Sequence, residues 1–130
     1  MDFQARAVTR AGAAALTVAL SATATFALAH HSVLPFDGTH GTIIIGTVTR
    51  FLWQNPHTLI ALEVVGPDGG VVRWTIEGES PRMLERFGWT EDSLEVGARV
   101  SVHGAAAKDG SSVMRCREIE LGDGTRLPCF

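Results

Sequence analysis

Beyond Gly41 the apolar residues of this chain recur in short runs with a period of two, the mark of strands half buried against a core. TIIIGTVTRFLW, residues 42–53, is rich in β-branched side chains, with Gly46 as the candidate for a bend or bulge. NPH interrupts it, and Asn before Pro favours a turn. TLIALEVV alternates Ile60, Leu62 and Val64 against Ala61 and Glu63, and GPDGG supplies a hairpin turn. VVRWTIE then sets Val72, Trp74 and Ile76 on one face, with Arg73, Thr75 and Glu77 on the other. At SPRMLERFG the period changes. Ser80 is placed as N-cap, Pro81 as first helical residue and Gly88 as terminator, and Met83, Leu84 and Phe87 share a face of a helix of two turns at most. ARVSVHG returns to alternation, with Val100 and Val102 opposed to Arg99, Ser101 and His103. AAAKDGS reads as a loop, and SVMRCREIEL as a strand paired with TRLPCF across Gly122-Asp123-Gly124.

Three strands, a helix and at least two more strands is the order of an OB-type barrel, whose helix lies between the third and fourth strands. The predicted class is all-β with one short helix: a small five- to six-stranded OB-like barrel of order β-β-β-α-β-β. A bent first strand suits a barrel in which one strand serves two sheets. A small β-sandwich is the alternative, because strand order alone does not fix closure.

The N-terminal residues follow a different pattern. Arg6 and Arg10 precede an uncharged run from Ala11 to Leu28, and Ala27-Leu28-Ala29 offers small residues for cleavage before His30. A basic start, an apolar middle and an A-x-A end describe a secretory signal peptide over residues 1–29. The run is long enough to compete as a membrane anchor, which needs ~20 apolar residues. Its many alanines, with Thr17, Ser21, Thr23 and Thr25, favour cleavage. The arginines are not adjacent, so a twin-arginine route is not indicated. The expectation is a periplasmic or secreted protein with no stable membrane insertion after cleavage. It would have an arm at 30–42 and one domain at 43–130, together about a hundred residues.

Composition narrows the partners. The formal net charge is −3, and losing the leader's two arginines and Asp2 makes the balance one unit more acidic. With no Lys/Arg cluster, nucleic acid is not an expected partner. The two cysteines, Cys116 and Cys129, flank the last hairpin turn. In an oxidising compartment a disulfide is expected, contributing ~3 kcal/mol in the chain-entropy model. Two thiolate metal ligands are the alternative, without a CxxC spacing or histidine partner to support it.

Candidate chemistry gathers on histidine. Cleavage after Ala29 would make His30 the first residue, so that its α-amine and imidazole could chelate one metal together. Nitrogen ligands of this kind favour copper(II) among divalent ions. His31 and His57 could complete the set, although adjacent residues such as His30 and His31 bite in a restricted geometry. Asp37 could add a carboxylate. The plain reading is an exposed arm, with His57 bonded to a turn carbonyl. His40 has no partner that the sequence can supply, and His103 reads as a surface residue. Trp53, Asn55, Pro56 and His57 fall in the loop between the first two strands, which OB-type domains use for ligands. Trp53 is otherwise a cap on the barrel end, while Trp74 and Trp89 read as core. Glu77 and Glu79 read as solvated, or placed near the helix start. No nucleophile elbow or acid pair recommends an enzyme.

The ordered segments AHHS, GTVTRFLWQNPH, WTIEGESP, LERFGWT, LEVGARVSVHGAAAKDG and LGDGTRL resemble a set of small secreted bacterial proteins grouped as domain of unknown function 6152. The resemblance implies an exported, mostly β, single-domain protein, and no activity. It places His30 and His31 on the family's histidine pair and Trp53, Asn55, Pro56 and His57 on its W-x-N-P-H segment. Cys116 and Cys129 lie outside its pattern. Two functions follow as expectations. One is an exported binding module holding copper through His30, His31 and His57. The other is a metal-free module using the WQNPH loop for a protein, glycan or other small ligand.

Overall fold

The structure is a computed structural model and describes residues 36–130. The expected leader, His30 and His31 lie outside the described residues. Six strands and one helix follow: β1 Thr42–Leu52, β2 Leu59–Val65, β3 Val71–Glu77, α1 Pro81–Glu85, β4 Arg99–Ala106, β5 Val113–Leu121 and β6 Arg126–Pro128. Among the described residues no helix is long and apolar enough to cross a membrane.

β1 is the strand on which the architecture turns. Its first half, Thr42 to Thr47, pairs antiparallel with β4, and its second half, Thr47 to Leu52, pairs with β2. β2 carries β3 in an unbroken antiparallel ladder from Leu59–Glu77 to Val65–Val71. β5 lies antiparallel to β4, and three parallel pairs, Thr75–Val113, Ile76–Met114 and Glu77–Arg115, join it to β3. The circuit β1-β2-β3-β5-β4 therefore closes as a five-stranded OB-like barrel, and the sandwich alternative does not form. β6 pairs with β5 from Glu118–Pro128 to Glu120–Arg126.

Alternation fills this barrel. Val48, Leu62, Ile76, Val102, Met114 and Ile119 are fully buried, each from the inward set of its strand. Leu84 and Trp89 enter the same core from α1 and the turn after it, and the Trp89 indole N–H donates to the Pro128 carbonyl at 2.7 Å.

The structure corrects several local expectations. The irregularity in β1 lies between Val48 and Arg50, not at Gly46. Gly46 answers a different need, since a Cβ there would stand 2.8 Å from the Glu63 carbonyl oxygen. The inward face assigned to β3 is buried only at one end: Ile76 is inaccessible, Trp74 half-buried, and Val72 exposed near the hairpin tip. Of the helix face, Leu84 alone is buried, and Met83 and Phe87 are exposed because α1 spans only five residues. The first alanines of AAAKDGS extend β4 to Ala106. Ser80 does occupy the N-cap with Pro81 behind it, although its side chain makes no capping hydrogen bond.

The expected disulfide joins Cys116 to Cys129 with their Cα atoms 5.5 Å apart. The thiolate-ligand alternative falls with it. The bond anchors the C-terminal residues against β5, where the Cys129 amide donates to the Arg117 carbonyl at 2.8 Å. The Cys129 carbonyl in turn accepts the Glu79 amide at 3.1 Å. A strand-end acid and the tail thus hold each other in place.

Candidate functional site

The β1–β2 loop runs from Trp53 to Thr58 and places its side chains in two environments. Trp53 folds back on the core, half-buried, with its ring edge-on to Phe51 at 5.8 Å. It serves as a barrel-end cap. Gln54, Asn55 and Pro56 are exposed, and the Asn55–Pro56 peptide is cis. Thr58 is buried and ties the loop to the end of β3: its hydroxyl and its amide both donate to the Glu79 carbonyl at 3.1 Å.

That tie sets His57 beside the carboxylate of Glu77. His57 Nδ1 lies 2.5 Å from Glu77 Oε1, so the ring faces the acid instead of a turn carbonyl. The contact continues. Arg115, opposite Glu77 in the parallel β3–β5 pairing, brings Nη1 to 4.0 Å from Glu77 Oε1 and Nη2 to 2.7 Å from Glu79 Oε1. His57, Glu77, Arg115 and Glu79 form one chain of polar contacts along the seam that closes the barrel. The two acids are less than a third exposed and are committed to these partners, so neither is simply solvated. Sequence reading missed Arg115. Its only local signal is that Arg115 and Arg117 bracket the inward Cys116, which says that they face outward but not whom they meet.

The arrangement has a chemical consequence for His57. With Nδ1 directed at Glu77, Nε2 is the ring nitrogen left to face outward. It has no hydrogen-bond partner among the described residues, and no buried polar side-chain atom there lacks one, so Nε2 reaches solvent. A carboxylate-oriented imidazole with an outward Nε2 is the form in which histidine binds metals. The described residues contain no cluster of three His, Cys, Asp or Glu groups able to hold a metal ion.

The remaining candidates separate. Asp37 accepts from the Thr39 hydroxyl at 2.6 Å, the Thr39 amide at 3.0 Å and His40 Nδ1 at 3.1 Å. The Thr39 bonds above all, and His40 after them, hold its carboxyl well below the usual range. His40 therefore has a partner three residues away, and Asp37 is engaged locally. His103 is exposed on β4, opposite Ile43 and Glu118, with its ring over Gly41. The described part of the arm is fastened to the barrel by the Phe36–Ala107 bridge and by the Asp37 amide, which donates to the Ala106 carbonyl at 2.9 Å.

The profile of a family of unknown function, DUF6152, matches residues 17–115, about three quarters of the chain. The chain belongs to this family. The match ends one residue before Cys116, so the disulfide and β6 lie past the family's shared segment. No protein of curated function matches the chain. Among solved structures, a mitochondrial single-stranded DNA-binding protein from S. cerevisiae is similar at 16% identity. That likeness covers 64% of this chain and 93% of the other, with a TM-score of 0.49.

Proposed function

We propose that this family member is an exported binding module that holds copper(II) between its mature N-terminal histidine and the β1–β2 loop. The observation that carries the reading is the orientation of His57 by Glu77, which leaves Nε2 as an outward donor. His30 would supply its α-amine and imidazole, and His31 stands beside it as a further imidazole. The leader pattern supports export and a cut before His30 that would free its amine. The six residues 30–35 ahead of Phe36 can extend up to ~20 Å, so chain length does not forbid a shared ion. The acidic balance of the chain speaks against nucleic acid as the partner.

Mass spectrometry of the exported protein should give a chain beginning at His30. Calorimetric titration of that chain with copper(II) should then show a single tight site. One extra residue placed before His30 should weaken it at least tenfold, and so should His57→Ala. Equal affinity with and without the extra residue would overturn the N-terminal chelate. An unchanged affinity in the His57 variant would remove the loop from the site. The metal-free alternative draws on the exposure of Gln54, Asn55 and Pro56. It becomes the better reading if none of the forms binds copper.

A further inference from the structure

A cleft shares Glu79 and Arg115 with the seam but not His57 or Glu77. With a volume of about 360 Å³, it opens between the arm and the C-terminal tail, lined by Phe36, Gly38, Ala105, the Cys116 half of the disulfide and Phe130. Glu79, Arg115 and Arg117 supply its charge. The volume is at the small end of the range for pockets that bind small molecules.

Glu79 is taken by Arg115 at 2.7 Å, while Arg117 lines the same cleft without an ion-pair partner among the described residues. The one hydrogen bond its side chain makes among the described residues is donation from Nη2 to the Gly38 carbonyl at 3.3 Å, with no carboxylate oxygen within 4 Å. Its position follows from the strand. The β4–β5 register slips between the pairs His103–Glu118 and Gly104–Cys116, so Arg117 is the extra residue of a bulge. A bulge re-aims a side chain that regular alternation would place elsewhere. Gly104 is what admits it, because a Cβ there would lie 2.2 Å from the Arg115 carbonyl.

We infer that this cleft binds a small organic carboxylate with an aromatic body, the carboxylate on Arg117 and the ring between Phe36 and Phe130. The guanidinium fork matches a carboxylate in two parallel hydrogen bonds. The phenyl walls and Ala105 give the body an apolar lining, which favours an aryl acid over a bare inorganic anion. The site is independent of the copper reading, since it uses neither His57 nor any residue before Phe36.

The test is an NMR titration of the ¹⁵N-labelled exported protein with phenylacetate, and with the neutral phenylacetamide beside it. Phenylacetate should move the amides of Gly38, Ala105 and Arg117, and phenylacetamide should bind at least tenfold more weakly. Arg117→Gln should lose phenylacetate binding tenfold or more. Phe130→Ala, at an exposed position that folding does not need, should weaken it several-fold. Equal binding of acid and amide would overturn the inference. So would shifts centred away from the cleft, no binding of either probe, or full affinity in Arg117→Gln or in Phe130→Ala.

Discussion

The two ends of the β2–β3 hairpin have the same alternating sequence character and different fates. At its base β3 has a neighbour on each side, β2 and β5, so Ile76 is sealed and Glu77 meets Arg115 across the closing seam. At its tip β3 has only β2, and Val65, Val71 and Val72 stand in water. A period of two assigns a side chain to a face. The number of neighbouring strands decides whether that face is covered.

Substitutions along β3 can break that comparison. Ile76→Ala should cost ~2–5 kcal/mol, as a buried truncation that leaves a cavity, read from the denaturant midpoint. A loss as small as that of a tip valine would mean that the seam is not closed in solution. Replacing Cys116 and Cys129 together by alanine should cost ~3 kcal/mol, and reduction of the native bond should reproduce it. Because the tail supports Glu79 at the base, that loss should loosen His57 and Arg115 and leave the tip unchanged in hydrogen exchange. Arg115→Met should cost ~1 kcal/mol or less, since the guanidinium is partly exposed and water screens its pairs. The cost should shrink further in high salt.

Acid brings in a third region, the arm and two turns. Asp37, Asp109 and Asp123 are held below the carboxylate value of 3.8 by hydrogen bonds, foremost from Thr39, Ser111 and Thr125 respectively. A lowered folded pKa gives stability that is full above 3.8 and is lost as the pH falls through the folded value. Acid titration followed by NMR should therefore leave the arm and the two turns undisturbed until the pH falls below 3.8. Asp109→Asn should remove part of that dependence. The smallest effect belongs to the tip, where Val72→Ala should change stability by no more than ~0.5 kcal/mol.

Much of this fold was legible in the sequence because it is written locally. The strands, the short helix behind Ser80-Pro81, the last hairpin and its disulfide all follow from residues near one another in the chain. What was not legible depends on partners far away in sequence. Val72 and Ile76 look equivalent until β5 is seen beside only one of them. Gly46 reads as a bend, but its reason is the Glu63 backbone, and the irregularity falls between Val48 and Arg50 instead. For the candidate site, His57 stood out by type and loop position. Its orientation by Glu77 and the link to Arg115 depend on the parallel β3–β5 seam, which no local pattern announces.

Thr47 pairs with Glu63 on one side and Arg99 on the other, at the point where β1 passes from one ladder to the next. A ring of strands joined in this way has no hinge. Two lobes cannot swing shut over a ligand without tearing a ladder, in contrast to proteins that close by rotating domains about a few loop residues. Any ligand would meet a frame that is already set, and adjustment would fall to the loops.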